Sequence, residues 1–144
     1  MPDCIFCKIA NKEIPSSIIY EDDKVIAFLD IKPVHPGYTL VIPKDHHQMM
    51  SDTPDGLIAS VFVICKRLMR VIKRAFNADY VAVSVIGLDV PHFHVHVIPR
   101  YKNDGMAQFW PTKKYAESEA QKTAEKIRSD AILQLNRAPR KFGI

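Results

Sequence analysis

The sequence predicts an α+β fold: an antiparallel sheet covered by one long amphipathic helix. Short segments with apolar residues at period two alternate with a single long stretch of period three to four. Late in the chain two strand-like segments follow each other with only a short turn between them. Parallel strands would need a crossover there, so the pair is expected to run antiparallel.

The elements follow in order. Residues 17–30, SIIYEDDKVIAFLD, read as two strands around a turn at Glu21-Asp22-Asp23. Val25, Ala27 and Leu29 fall on one face, and Ile26 and Phe28 on the other. DIKPVHPG (30–37) holds two prolines and a glycine and marks a loop, and YTLVIP (38–43) is a third strand closed by Pro43. Beyond Ser51 the period changes. Leu57, Val61, Cys65, Leu68, Ile72 and Phe76 form an apolar stripe opposite Lys66, Arg67, Arg70, Lys73 and Arg74. That pattern is a long helix, with Ser51, Asp52 or Thr53 as candidate N-caps and Pro54 suited to its first turn. YVAVSVI (80–86) reads as a buried strand, GLDVP (87–91) as a turn, HFHVHVI (92–98) as the last strand, ended by Pro99, and about 115–135 as a second, more polar helix.

Bulk composition narrows the function classes. With 144 residues, 47% hydrophobic and 25% charged, the chain has the make-up of one soluble globular domain. No apolar run approaches the roughly 20 residues of a membrane span. The first fifteen residues show no secretory leader, and three cysteines, two of them in a C-x-x-C, suit a reducing compartment. The expected location is therefore cytoplasmic. A formal charge of +4 permits an anionic ligand without requiring one. The basic runs KRLMRVIKR (66–74) and RAPRK (137–141) read as a solvated helix face and a tail rather than a nucleic-acid surface.

The densest chemical signal is PHFHVHVIPR (91–100). On a strand His92, His94 and His96 share one face, while Phe93, Val95 and Val97 go to the other and can pack beneath the helix. Same-face neighbours stand roughly 7 Å apart, near enough to surround one small ligand. Three imidazoles can hold a zinc ion with an open position for water. A neutral imidazole can instead attack phosphorus while its neighbours handle protons. Spacing does not choose between these.

HFHVHVI, together with CIFCKIANKEIP near the start, VIAFLDIKPVHPGYTLVIPKDH and HVIPRY, resembles the histidine triad (HIT) nucleotide hydrolases, in particular their Hint-like prokaryotic branch. The similarity covers about residues 3–101, and FWPTKKY plus the last helix, about 111–137, resemble the C-terminal extension of prokaryotic members. The resemblance implies a single HIT domain over 1–144, with a five-stranded antiparallel sheet, a long central helix and a C-terminal helix. It also implies a homodimer that joins two sheets side by side.

For function, the resemblance implies cleavage at the α-phosphate of purine nucleoside 5′-monophosphate derivatives, such as phosphoramidates and adenylylated amines, through a nucleotidyl-histidine intermediate. Dinucleoside polyphosphate hydrolysis, or zinc-stabilised nucleotide binding with weak turnover, are the alternatives. His94 takes the place of the nucleophile and His96 that of the phosphate contact. Ile5, Phe6, Ile9, Phe28, Asp30 and Ile31 correspond to the base and ribose pocket, with Asp30 able to accept two ribose hydroxyls. Backbone amides near Gly87, Asp89 and Val90 are candidate donors to the phosphate. Cys4 and Cys7 alone leave zinc under-coordinated, and the resemblance supplies His46 and His92 to complete a structural site. Cys65, on the apolar helix face, is expected to be an inert core residue.

Two positions depart from the family pattern. Tyr38 stands where many relatives carry a fourth active-site histidine, and a phenol is a poor proton shuttle near neutral pH. His35, three residues earlier, either compensates or is a loop histidine. The turn SVIGLDVP is shorter than usual and places Asp89 where a hydroxyl would approach the phosphate.

Overall fold

The computed structural model describes residues 3–135, with side chains through residue 131. The chain divides into two compact units, one ending at Met106 and the other beginning at Ala107. In the first, α1 (Ile5–Ala10) precedes the hairpin β1 (Ile18–Glu21) and β2 (Val25–Leu29), then β3 (Thr39–Pro43), α2 (Asp55–Ala75), β4 (Tyr80–Ser84) and β5 (Val95–Arg100). The five strands form one sheet in the order β1-β2-β3-β5-β4, antiparallel throughout. The expected α+β architecture is therefore present.

Each face of the sheet has its own core. Beneath α2 lie Val25 and Ala27 of β2, Val41 of β3, Phe93, and Val95 and Val97 of β5, against Val61, Ile64, Cys65, Leu68 and Ile72 of the helix. At roughly 1.5–3 kcal/mol for each fully buried aliphatic side chain, this stripe anchors the sheet. The other face packs Ile26, Phe28, Leu40, Ile42 and Tyr38 against Cys4, Phe6 and Ile9 of the N-terminal segment. The alternation predicted for β2 and for residues 93–97 is thus realised, except that Leu29 is only half-buried.

Several boundaries differ from the sequence expectation. No element was predicted before residue 17, because six residues are too few to show a helical period, yet IFCKIA forms α1. None of Ser51, Asp52 and Thr53 caps α2. Pro54 occupies the N-cap and its carbonyl accepts from Leu57 and Ile58, while the Thr53 hydroxyl donates back to the Met49 carbonyl at 2.9 Å. The segment read as a buried strand is β4, an edge strand with all five residues only half-buried, because it pairs with β5 alone. Ladder pairing in the last strand begins at Val95, so His92 and His94 lie just ahead of it. Pro99 sits inside the strand, opposite Val81 and beyond Val97, where pairing with β3 stops.

In the second unit, α3 spans Glu119–Leu135, and the Glu119 carboxylate accepts the Ala116 backbone N–H at 2.7 Å. Phe109 and Trp110 ahead of it are largely exposed. The basic run 137–141 lies outside the described residues. Among the described residues, no helix is long and apolar enough to cross a membrane.

Gly37 fixes the entry into β3. Its φ is +96°, and a Cβ built there would lie 2.5–3.0 Å from the Phe76 ring at the end of α2. Gly37→Ala is expected to lower stability by about 1–2 kcal/mol, measured by urea denaturation. Pairing it with Phe76→Ala should relieve the steric part and leave the backbone cost in place.

Candidate active site and metal centre

The sheet face opposite α2 carries the chemistry. α1 places Cys4 and Cys7 one turn apart, with the Lys8 N–H donating to the Cys4 carbonyl at 3.1 Å. Cys4 Sγ lies 3.4 Å from His92 Nδ1, and Cys7 Sγ lies 3.3 Å from His46 Nδ1 and 3.6 Å from His92 Nδ1. One donor atom from each of the four residues falls within 4.8 Å of the other three. His92 is completely buried, and its Nε2–H donates to the Pro43 carbonyl at 2.8 Å. That bond leaves the lone pair on Nδ1, facing the two sulfurs, as a metal-ligating imidazole requires.

Burial holds the imidazole neutral by lowering its pKa to about 4, against the raising effect of the Pro43 contact. Burial and the adjacent Cys4 push the Cys7 thiol up to about 11. Two thiols and two imidazoles with free lone pairs form a zinc-type donor set, and a shared cation would offset the cost of ionising the sulfurs. The four residues therefore fit a structural metal.

His94 and His96 belong to a second group, with Asp89. His94 is 1% exposed, and its Nδ1–H donates to the His92 backbone carbonyl at 2.7 Å. Its Nε2 consequently carries a lone pair and has no hydrogen-bond partner in the protein. Asp89 Oδ1 approaches that nitrogen to 3.3 Å. A carboxylate offers no proton to a neutral imidazole, so this contact becomes a hydrogen bond only when His94 is protonated. The edge of Phe6 supports the His94 ring, at 5.1 Å between centroids.

His96 is paired through Nδ1 with the Tyr38 hydroxyl at 2.6 Å. Leu40 lies opposite His96 in the sheet, which makes Tyr38 its diagonal neighbour on the same face. Burial, with the Asp30 and Asp89 carboxylates, raises Tyr38 to about 12, so the phenol stays protonated and is the better donor. Burial and the nearby His94 lower the His96 pKa against the pull of Asp89 and Asp30. A neutral ring accepting at Nδ1 carries its proton on Nε2, which is buried and has no protein acceptor. The two imidazoles are thus complementary: His94 presents an electron pair and His96 a proton.

Beside them runs a cleft of about 400 Å³ lined by Ile5, Phe6, Ile9, Phe28, Asp30, Ile31, Asp89 and Val90. Eight of the nine residues named from sequence for substrate contact border it. The ninth, Gly87, is exposed and does not. Ile14, Pro15, Ser16, Leu29 and Leu40 also line it and were not anticipated, because apolar residues near a turn carry no signal of a cleft. Asp30 Oδ1 accepts the Lys32 N–H at 2.8 Å. A second hollow of about 580 Å³, bounded by Cys4, His46, Gln48 and Pro91, shares Ile5, Asp89 and Val90 with the first. Against part of burial's upward push, backbone N–H groups of Asp89 and Val90 and the two imidazoles hold Asp89 below the usual carboxylate range.

His35 pairs with a carboxylate of the loop after β5. Its Nε2 lies 3.2 Å from Asp104, whose carboxylate also takes a bidentate bond from Arg100 and the backbone N–H groups of Tyr101 and Met106. Cys65 is buried beneath the sheet as expected, and burial raises its thiol pKa to about 12.

Comparison with known proteins places this geometry. The HIT domain family signature matches residues 11–103. An uncharacterised HIT-like protein of Borreliella burgdorferi is 46% identical over 112 residues, covering 73% of this chain and 81% of the relative. A Saccharomyces cerevisiae protein named adenosine 5′-monophosphoramidase is 38% identical over 112 residues, covering 76% and 71%. Among solved structures, a Streptococcus mutans protein superposes with a TM-score of 0.84 at 33% identity, covering 90% of this chain and 86% of that one. A zinc-bound histidine triad family protein of Mycobacterium smegmatis gives 0.70 at 31%, covering 91% and 98%.

The Tyr38 contact predicts the His96 tautomer. In ¹⁵N-resolved spectra of the protein, His96 should carry its proton on Nε2. Tyr38→Phe should shift the ring to a mixture of tautomers, and an unchanged spectrum would show that the hydroxyl does not set it.

Proposed function

The chain belongs to the HIT domain family, and on that premise we propose that it hydrolyses purine nucleoside 5′-monophosphate derivatives, phosphoramidates in particular, through a nucleotidyl group carried on His94. The observation that carries this reading is the Nε2 of His94, buried, without a protein partner and left with a lone pair by the bond from Nδ1–H to the His92 carbonyl. The yeast relative's name supports the reaction class.

The chemistry follows from the groups present. A phosphoramidate offers an electrophilic phosphorus screened by anionic oxygens, so a neutral nucleophile is favoured over a charged one. Nε2 of His94 forms a bond to phosphorus as the bond to the departing nitrogen breaks. Water then adds to phosphorus, and the electron pair returns to Nε2. The departing amine takes a proton from solvent as the P–N bond breaks, and the attacking water returns one to solvent in the second step. Nε2–H of His96 donates to a non-bridging oxygen, where charge accumulates, whereas the backbone N–H groups of Asp89 and Val90 are taken up by the Asp89 carboxylate. The base rests between Ile5, Phe6, Ile9, Phe28 and Ile31. Asp30 has one carboxylate oxygen in its turn and another for the ribose.

The structural role falls to zinc on Cys4, Cys7, His46 and His92, supported by their geometry and by the zinc-bound relative. A cytoplasmic setting would keep both thiols reduced. We read residues 3–101 as the domain proper and 111–137 as its extension. The open edge of β4 and the exposed Val63 and Val71 of α2 support a homodimer.

Asp89, 3.3 Å from the nucleophile, favours a second reading: nucleotide binding with slow turnover, since its charge opposes an incoming phosphate. One experiment separates the two. Adenosine 5′-phosphoramidate should be hydrolysed by the wild-type protein, and His94→Ala should reduce kcat/KM by on the order of 10³-fold or more. A nucleotidyl adduct should be trapped on the wild type by alkaline quenching. Equal turnover in the variant would overturn the His94 mechanism, and tight binding of AMP with neither turnover nor adduct would select the second reading.

A further inference from the structure

We propose that Asp89, His94 and His96 form a second, exchangeable site for a divalent transition cation, and that a zinc-type ion bound there blocks the nucleophile. One donor atom from each residue lies within 4.8 Å of the other two. The free nitrogens are Nε2 of His94 and Nε2 of His96, both buried and without a protein partner. The Asp89 carboxylate closes the group from the solvent side, 3.3 Å from His94. Ligand atoms held about 2.0–2.1 Å from zinc stand roughly 3.3 Å apart. The His94–Asp89 pair already has that spacing, and only small movements of His96 or the exposed loop would complete it.

The surroundings are those of a metal site as well. A metal-ligating imidazole donates its other N–H to a carbonyl, carboxylate or similar acceptor. Nδ1–H of His94 already donates to the His92 carbonyl at 2.7 Å. Nδ1 of His96 lies 2.6 Å from the Tyr38 hydroxyl, a group that can donate or accept. With a metal bound, His96 moves its proton from Nε2 to Nδ1 and donates to Tyr38, while the phenol rotates its own proton away. No heavy atom has to move for this exchange. A histidine at position 38 would lack that freedom at a single atom, since each ring nitrogen is fixed as donor or acceptor by the tautomer.

Two imidazoles and one carboxylate select zinc or cobalt over magnesium or calcium, which prefer all-oxygen sites. The ion also resolves the mismatch of a carboxylate in a phosphate site, because its charge neutralises Asp89. The same ion takes the lone pair that would attack phosphorus. The site therefore binds either the cation or the reacting phosphate, and the inhibitory consequence rests on the hydrolytic role proposed for His94.

Equilibrium dialysis against zinc chloride alone, followed by elemental analysis, provides the test. Wild-type protein should take up two zinc ions per chain and Asp89→Asn one, the one held by the cysteines. Tyr38→Phe should weaken the second ion by on the order of 10-fold. In a cobalt titration the second equivalent should add visible bands without further thiolate-to-metal charge transfer. One ion in the wild type, two in Asp89→Asn, or thiolate charge transfer rising with the second equivalent would overturn the site. Filling it should reduce phosphoramidate turnover at least about 10-fold, and unaltered turnover would overturn the inhibitory role. Two ions in a chain without turnover would fail the hydrolytic reading and leave the metal site standing.

Discussion

Val95 and Val97 are wholly excluded from solvent beneath α2, and between them His96 projects to the opposite face with His94 just before. The segment from 92 to 97 thus belongs to two environments, one sealing an aliphatic core and the other presenting imidazoles. A shift of one residue would put histidines under the helix and valines in the cleft. Such a shift would cost several buried aliphatic contacts and leave charged or polar rings without partners. The core under α2 therefore holds the histidines in register, and much of the functional geometry follows from apolar packing on the far side of the sheet.

On the functional face, burial and hydrogen bonding decide which imidazole does what. All three rings are buried, and each has one nitrogen held by a different partner: Pro43 for His92, the His92 carbonyl for His94 and Tyr38 for His96. Burial disfavours the imidazolium form of His92 and of His96. In a neutral ring the partner selects the tautomer. A carbonyl can only accept, which fixes the proton on His92 and His94. A phenol can do either, and His96 alone retains a choice. Three chemically identical side chains acquire different roles from the atoms behind them.

Much of this was legible in the sequence, because period-two alternation is a direct image of a two-sided sheet. Val25 against Ile26, and Val95 against His96, announced their faces correctly. The stripe of α2 was equally clear from Val61 to Ile72. Elements whose stability comes from elsewhere were not legible. α1 is too short to show a period and is seated by the side chains of Cys4, Phe6 and Ile9. The half-exposure of β4 depends on its place at the sheet edge, which residue type does not encode. In the site, the spacing of the histidines gave their common face, and the family resemblance supplied the roles proposed for them. The bond from Tyr38 to His96 joins residues 58 positions apart. It became visible only through the register of β3 on β5, although the unusual tyrosine had already marked the position.

His92 has one half in each site: its ring faces the two cysteines, and its carbonyl holds the ring of His94. The cluster of two cysteines and two histidines and the His94–His96 pair therefore meet in a single residue. The peptide that carries this carbonyl orients His94, the next histidine along the chain. An engineer who wished to dispense with the cysteines would have to supply another anchor for residue 92 before altering them. Conversely, the ring of His94 answers, through the His92 carbonyl, to the contacts that Cys4 and Cys7 make with the His92 ring.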